Sequence, residues 1–465
     1  MKRVSEMRSS ADLRLPQLWY PEARAVAPRK LIYHAGPTNS GKTHAALQRL
    51  AAAENGVYAG PLRLLALEIY ERLNSEGVLT DLLTGQEVKE TPLSTHVSCT
   101  VEKFDVRDPV DVAVVDEIQM IADPFRGWAW TRAVMGAVAE EVHVCGDASA
   151  IPIITRLAKE TGDDLEIVEY DRRTPLSVSN SSLHGDLSRV QPGDCIIAFS
   201  RKEILRLRAM VVGLTGHKCC VVYGKLPPET RSAQARLFND PDSGYDVLIA
   251  SDAVGMGLNL NIRRIVFTSL EKFDGTSVKP VEPSQVKQIA GRAGRYGSRY
   301  PSGEVTTLHK RDMGRLRAAL DAPLSRPRRA GIFPSTEQLE AFAALFPDGT
   351  SLAQLLDTFA SASQLDKQYA MCRHEEMQQA ARLCEHLPMT LADRFTFAQA
   401  PVNLSTPVLR AAFQRYATEF AEDGVVRVGV TLPGRVVHPT SGALMTLETR
   451  HHMLEMYLWL AQRYD

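Results

Sequence analysis

The sequence predicts an α/β protein made of two parallel-sheet units in tandem, followed by a mostly helical region. Three observations carry that reading. From Leu31 to about Val168, short β-rich runs alternate with helical stretches, the pattern of a parallel sheet covered by helices. The alternation restarts after YDRRTPLSV and continues to GEVTTL near residue 303. Beyond about residue 310 the strands thin out and helical periods take over. The expected division is an N-terminal segment (1–30), a first α/β unit (31–170), a second (171–310) and the helical region (311–465).

In the first unit LIYH precedes THAALQRLAAA, GVYAG precedes PLRLLALEIYERL, and DVAVVD and EVHVCGD supply two more strands. NSSLHGD and QPGD provide turn formers in the junction, placed within residues 170–192. In the second unit DCIIAFS leads into RKEILRLRAMV, and KCCVVYG into PPETRSAQARLF; YDVLIASD, RRIVFTS and GEVTTL complete the strands. RLRAALDAPL, TEQLEAFAALF, EEMQQAARLCEHL and LEMYLWLAQRYD read as helices of a C-terminal appendage. The two units share grammar rather than sequence, and no period of 20 to 50 residues stands out.

Composition bounds the partners. The 465 residues are 44% hydrophobic and 23% charged, ordinary values for a folded protein of about three domains. Lys and Arg total 54 against 55 Asp and Glu, so no global positive field draws in nucleic acid and any such partner needs a local groove. The seven cysteines form no CxxC, which indicates neither a disulfide framework nor a zinc ribbon and fits a reducing compartment. Cys372/His374 and Cys384/His386, two residues apart in a helix, would face different sides, so no zinc is expected there. MKRVSEMRSSADLRLPQLWYPEAR lacks the apolar core of a secretory signal, and no run of 18 apolar residues occurs, so no membrane partner is expected. A bacterial cytoplasmic protein is the simpler reading, and the Arg- and Ser-containing opening leaves the mitochondrial matrix as the alternative.

The strongest motif is Gly36-Pro37-Thr38-Asn39-Ser40-Gly41-Lys42-Thr43, a GxxxxGKT between a strand and a helix, the context a P-loop requires. Its glycines let backbone N–H groups point at phosphates, Lys42 can reach the β and γ phosphates, and the Thr43 hydroxyl can hold Mg²⁺. ATP and Mg²⁺ are therefore the expected ligands. VAVV ends in Asp116 and Glu117, placing one carboxylate near the metal and the other near an attacking water. A base beside the metal favours hydrolysis over transfer to a small acceptor. In the second unit Ser251-Asp252-Ala-Val-Gly255-Met-Gly257 follows a strand, with Gly255 expected beside the nucleotide. Gln288, Arg292 and Arg295 of QIAGRAGR recur at spacings of four and three, near one helical face. Together with the first unit, GRAGR reads as an arginine finger presented across a cleft.

The order GPTNSGKT, DEIQ, SDAVGMGLNL and QIAGRAGR resembles that of superfamily 2 helicases. HAGPTNSGKT, YAGPLRLLALEIYERLN, HVSCTVE, VAVVDEIQMIADPFRGWAWTRA and PVEPSQVKQIAGRAGRYG are similar to the mitochondrial degradosome ATP-dependent RNA helicases, the suppressor-of-var family, over most of residues 18–308. The C-terminal QAARLCEHLPMTLADRFTFAQAPVN and MLEMYLWLAQRYD resemble that family more loosely. The resemblance implies two RecA-like P-loop NTPase domains with ATP between them, and an RNA strand, with DNA as a second candidate, crossing their upper surface from 3′ to 5′. It further implies that Pro61, Arg63, Thr84, Gly85, Ser200, Ser251 and Asp252 line the strand path or couple it to ATP, through contacts that do not read sequence. The Asp274-Gly275 turn pair stands where related motors place a strand-separating hairpin; an ordinary surface loop is the rival reading. A single-stranded tail and an exoribonuclease are the implied partners. Eukaryotic relatives carry a longer N-terminal extension, and this chain is expected to stop within its last helix. The rival functions are an ATP-gated RNA clamp or degradosome scaffold, and a small-molecule P-loop kinase that RNA would not stimulate.

Overall fold

The computed structural model describes residues 19–464 apart from 27, 275–276, 348, 364 and 431–440. The N-terminal stretch through Leu18, and Gly275 of the expected turn pair, lie outside the described residues.

Eight strands make the first sheet: β1 (Lys30–Ala35), β2 (Gly56–Gly60), β3 (Thr80–Leu83), β4 (Val88–Lys89), β5 (His96–Thr100), β6 (Val110–Val115), β7 (Ala139–Gly146) and β8 (Asp164–Glu169). Their spatial order is β4-β3-β5-β2-β6-β7-β1-β8, parallel except for the antiparallel edge pair β3–β4. The centre is buried on both faces, which is why Val112 to Val115 form a continuous apolar run without alternation. A buried ion pair, Arg29 to Asp163 at 2.5 Å, ties the entry to β1 to the end of the helix preceding β8.

The second sheet contains β9 (Leu176–Val178), β10 (Asp194–Ile197), β11 (Lys218–Val222), β12 (Tyr245–Ala250) and β13 (Arg264–Phe267). A hairpin of β14 (Glu271–Phe273) and β15 (Val278–Pro280) then projects before β16 (Gly303–Thr307) returns to it. The order is β11-β12-β10-β13-β16-β9, all parallel. The loops that carry GPTNSGKT, DEIQ and SDAVGMG leave the carboxyl ends of β1, β6 and β12, where open α/β sheets bind ligands, whereas GRAGR follows the helix Pro283–Ala290.

The C-terminal region is helical around one two-stranded parallel sheet, β17 (Ala330–Ile332) with β18 (Tyr369–Met371). It is not the appendage that its place in the chain suggests. Leu31, Val115 and Trp130 of the first unit share one apolar core with Ile332, Phe359, Phe397, Phe413 and Trp459. The Thr131 hydroxyl donates to the Gly331 carbonyl at 2.6 Å, and the Arg373 N–H to the Pro124 carbonyl at 2.6 Å. The helix Met313–Asp321, by contrast, packs Leu316 into the second unit's core. Cys372 follows β18 and His374 caps the next helix, so the helical geometry expected of that pair does not occur. The last helix runs Ser441–Ala461 and closes in a turn, rather than continuing to the end of the chain.

Candidate nucleotide site and interdomain cleft

β1 delivers residues 36–43 to the carboxyl edge of the first sheet, and the helix Lys42–Ala51 carries the chain away. Asn39 (φ +62°) and Gly41 (φ +91°) are both left-handed, turns that fold successive N–H groups into a concave anion nest. At Gly41 the conformation and a close approach coincide, because a Cβ would lie 2.7 Å from the Arg173 guanidinium. Lys42 Nζ donates only to the Pro37 carbonyl at 3.1 Å among the described residues. Ser40 Oγ is buried with no hydrogen-bond partner among them. A curled backbone, an orphaned hydroxyl and a lysine folded over the loop fit a polyphosphate.

β6 delivers Asp116 and Glu117. Asp116 is buried; Oδ1 accepts from Thr43 Oγ1 at 3.3 Å and Oδ2 from the Tyr58 hydroxyl at 3.1 Å. The Trp130 indole holds its carbonyl at 2.9 Å. Burial and the adjacent Glu117 push the Asp116 carboxyl above the usual carboxylate range, against the pull of Lys42. Glu117 sits at φ +53°, a strained geometry for a non-glycine residue, and Gln119 donates to its carboxylate while accepting from the Asp147 N–H. A hydroxyl and a carboxylate 3.3 Å apart are the oxygen donors a hard divalent cation takes, so the residues fit Mg²⁺.

The second unit faces this pair. The helix Pro283–Ala290 ends before Arg292 and Arg295, so these arginines do not share a helical face with Gln288 as the spacing suggests. Ala293 bridges to Ile262 and the Gly294 N–H donates to the Ile262 carbonyl, which draws the chain out of the helix. Gln288 stays on the helix beside Gly255. Arg292 donates to the Gly255 carbonyl at 2.9 and 2.5 Å, and its field acts on Glu117, Glu68 and Asp116. Arg295 faces Glu68 and Arg72 instead. Gly255 thus serves through its carbonyl, as the seat of Arg292.

Several groups here escaped the sequence reading. Arg172 and Arg173, in the linker between β8 and β9, lie against the P-loop. Arg172 donates to the carbonyls of Thr38, Gly291, Ala293, Gly294 and Thr174, and Arg173 to that of Ser40. Asn39 Nδ2 reaches across to Gly291 O at 3.0 Å and Gly294 O at 2.8 Å. The available signal was a charged pair, RR, in a junction that otherwise reads as turns.

The residues assigned to a strand path all sit at carboxyl edges of the two sheets, with their polar groups engaged within the chain. The Pro61 carbonyl accepts from Arg126 at 2.7 Å, and Arg63 pairs with Glu455 of the last helix at 2.9 Å. The Thr84 hydroxyl closes its own turn on Glu87, and Gly85 makes room for Trp459. Ser200 caps the helix Arg201–Thr215 and Ser251 caps the turn after β12. Asp252 accepts from Gln285 at 2.8 Å. Asp274 lies in the turn of the β14–β15 hairpin and pairs with Lys279. A cavity of about 760 Å³ lies elsewhere, between the first unit and the C-terminal helices around Trp19, Trp128 and Phe333.

Residues 16–170 match the DEXQ-box helicase domain of Suv3, 179–297 the helicase conserved C-terminal domain, and 379–421 the Suv3 C-terminal domain 1. The chain is 43% identical over 456 residues to the DExH-box ATP-dependent RNA helicase DExH16, mitochondrial, of Arabidopsis thaliana, covering 98% of this chain and 79% of that one. It is 50% identical to the rice protein named ATP-dependent RNA helicase SUV3L, mitochondrial, and 44% identical to human SUPV3L1. It covers 63% and 60% of those two proteins. Among solved structures, the Escherichia coli DEAH/RHA helicase HrpB aligns over 95% of this chain and 60% of its own, with a TM-score of 0.51 at 16% identity, a likeness of fold. With these motifs in this order on two RecA-like units, the chain belongs to the Suv3 family of superfamily 2 helicases.

Proposed function

We propose that the chain is an ATP-dependent RNA helicase that hydrolyses ATP between its two α/β units and moves 3′ to 5′ along a single-stranded tail. The observation that carries this reading is the meeting of Lys42, Thr43, Asp116 and Glu117 from the first unit with Arg292 from the second. A kinase for small substrates has no use for a second unit so placed.

The backbone nest of residues 36–43 and Lys42 bind the β and γ phosphates; Thr43 and Asp116 hold Mg²⁺. When bound, Mg²⁺ neutralises charge that develops on those phosphates. Glu117, oriented by Gln119, accepts a proton from the attacking water, and Arg292, with Arg295 beside it, stabilises charge on the transferred group. Arg63, Thr84, Ser200 and Ser251 offer backbone-directed contacts to RNA, so affinity depends weakly on sequence. DNA is a second candidate strand, and an exoribonuclease a candidate partner. All seven cysteines are buried and unbridged, which suits the reducing compartment of a bacterial cytoplasm or a mitochondrial matrix; the relatives' names favour the latter. No helix among the described residues is long and apolar enough to cross a membrane.

The test is ATP hydrolysis with and without RNA, beside displacement of strands carrying 3′ or 5′ overhangs. Lys42→Ala is expected to abolish hydrolysis, because it removes the side-chain cation of the P-loop. RNA-stimulated turnover near the wild-type rate in that variant would refute the site. Stimulation without displacement would replace the helicase by a clamp that binds and remodels RNA.

A further inference from the structure

We propose that Arg172 is a positioning residue for ATP hydrolysis: a linker guanidinium that fixes the peptide entering Arg292 and the peptides just beyond it, and ties them to the P-loop. The proposal rests on the ATPase reading given above.

Its geometry is unusual for an arginine. Among the described residues its partners are backbone carbonyls and no carboxylate pairs with it: Nε donates to Thr174 O at 2.8 Å, one terminal nitrogen to Thr38 O at 3.0 Å and Gly291 O at 2.8 Å, and the other to Ala293 O at 2.5 Å and Gly294 O at 3.3 Å. All five donors of the planar fork are used. The Gly291 carbonyl belongs to the peptide that enters Arg292 and the Ala293 carbonyl to the peptide one residue beyond it, so one rigid group brackets the segment that aims that side chain, while the same group holds Thr38 in the P-loop. A surface arginine recruited only for solubility would keep its head in water; this one is half-buried, and burial pulls its pKa down.

The surroundings reinforce the tie. Asn39 donates to Gly291 O and Gly294 O, two of the carbonyls that Arg172 also holds, and Thr174 Oγ1 reaches Gly294 O at 3.2 Å. Arg173 donates to Ser40 O at 3.1 Å and lies over the Tyr296 ring. The linker N–H groups join the first unit directly, Tyr170 N to Ala35 O at 2.8 Å and Arg173 N to Asn39 O at 3.1 Å. Any displacement of Thr38 in the P-loop would be carried by the guanidinium to the peptide that enters Arg292. Positioning of this kind is sensitive, since a displacement of about 1 Å at a reacting centre costs roughly 10²-fold in rate.

Arg172→Gln and Arg172→Lys are both expected to lower kcat by about 10²-fold with little change in nucleotide Kd, because neither side chain reproduces a five-donor fork. The decisive measurement is the cycle with Arg292→Ala. If Arg172 acts through Arg292, the double variant turns over about as slowly as Arg292→Ala alone. Losses that multiply in the double variant, or wild-type kcat in either single variant, would overturn the proposal. Should the Arg172 variants fail to melt cooperatively, Asn39→Ala decides, as it loosens two of the same carbonyls, Gly291 O and Gly294 O, while leaving Arg172 in place. Reduced kcat at retained Kd supports the proposal and unchanged kcat refutes it. A wild-type chain without RNA-stimulated hydrolysis would overturn the ATPase reading itself, before any variant is compared.

Discussion

Asp116 and Glu117 are adjacent in sequence and held in different states by their surroundings. Asp116 is enclosed by Tyr58, Thr43 and its own strand, and burial raises its affinity for a proton. Glu117 is turned by its left-handed backbone toward Gln119. Glu117→Gln keeps the shape and removes the base, so it should bind ATP with Mg²⁺ while losing about 10²- to 10⁴-fold in turnover. Nucleotide titration beside kcat checks this, and loss of binding would make Glu117 structural. The two arginines divide more sharply than their spacing suggests. Arg292 faces the carboxylates at the P-loop, whereas Arg295 faces Glu68 on the helix Arg63–Ser75. Arg292→Ala should therefore cost the roughly 10³ to 10⁵ in kcat that an arginine finger supplies, and Arg295→Ala should cost less. The opposite ranking, in kcat measured at saturating ATP, would make Arg295 the finger.

Among the elements, β1 and β7 carry a polar chain through an apolar sheet. Glu141, His143, His34 and Tyr170 bond in sequence, with 3.2, 2.8 and 2.8 Å between successive partners, and the imidazoles stack at 5.1 Å. Burial and the neighbouring imidazole push His34 down to about 4. The fold therefore favours neutral His34, while the unfolded chain protonates it below about 6.5. Its contribution to stability is full above that pH and is lost as pH falls toward 4, by at most about 3 kcal/mol. His34→Gln should be less stable near neutrality but flatter with pH. Urea midpoints at about pH 7 and about pH 5 check this; equal pH slopes in the two proteins would remove His34 as the cause. Strands of this kind are also where sequence pattern misleads. β5 is HVSCT, with His96, Ser98 and Thr100 interrupting any apolar run, yet the residues are buried because His96 bonds Leu50 O and Ser98 donates to Ala66 O. The β1, β2 and β6 runs were legible because apolar side chains dominate them, although His34, Tyr33 and Tyr58 each bond a group outside their own strand.

At the scale of the whole molecule, the last helix, Ser441–Ala461, straps the two units together. Glu455 pairs with Arg63 of the first unit, and Glu448 takes Arg201 and the Tyr223 hydroxyl of the second. Arg63 and Ser200, beside Arg201, are candidate contacts to RNA, so a carboxylate of this helix occupies a cation that a phosphate would use. Glu455→Ala should free Arg63 and steepen the fall of log affinity with log salt for single-stranded RNA by about 0.7, the value of one added phosphate contact. An unchanged slope would leave Arg63 as a structural partner of the helix.

The sequence by itself determined the two α/β units, the P-loop and the carboxylate pair, because each rests on local chemistry: a strand, a turn and a helix within a few residues. It also carried the likeness to the Suv3 family, through motifs whose order survives without coordinates. Only the tertiary structure decided which groups meet. The helical C-terminal region shares its core with the first unit although it follows the second in the chain, since burial depends on surfaces in space and not on order. Gly291 and Gly294 take Arg292 and Arg295 out of the helix that their spacing suggested, and the linker's Arg172 joins Thr38 to Gly291 more than 250 residues further on. A carbonyl has no side-chain identity, so hydrogen bonds to backbone leave no trace in a sequence pattern.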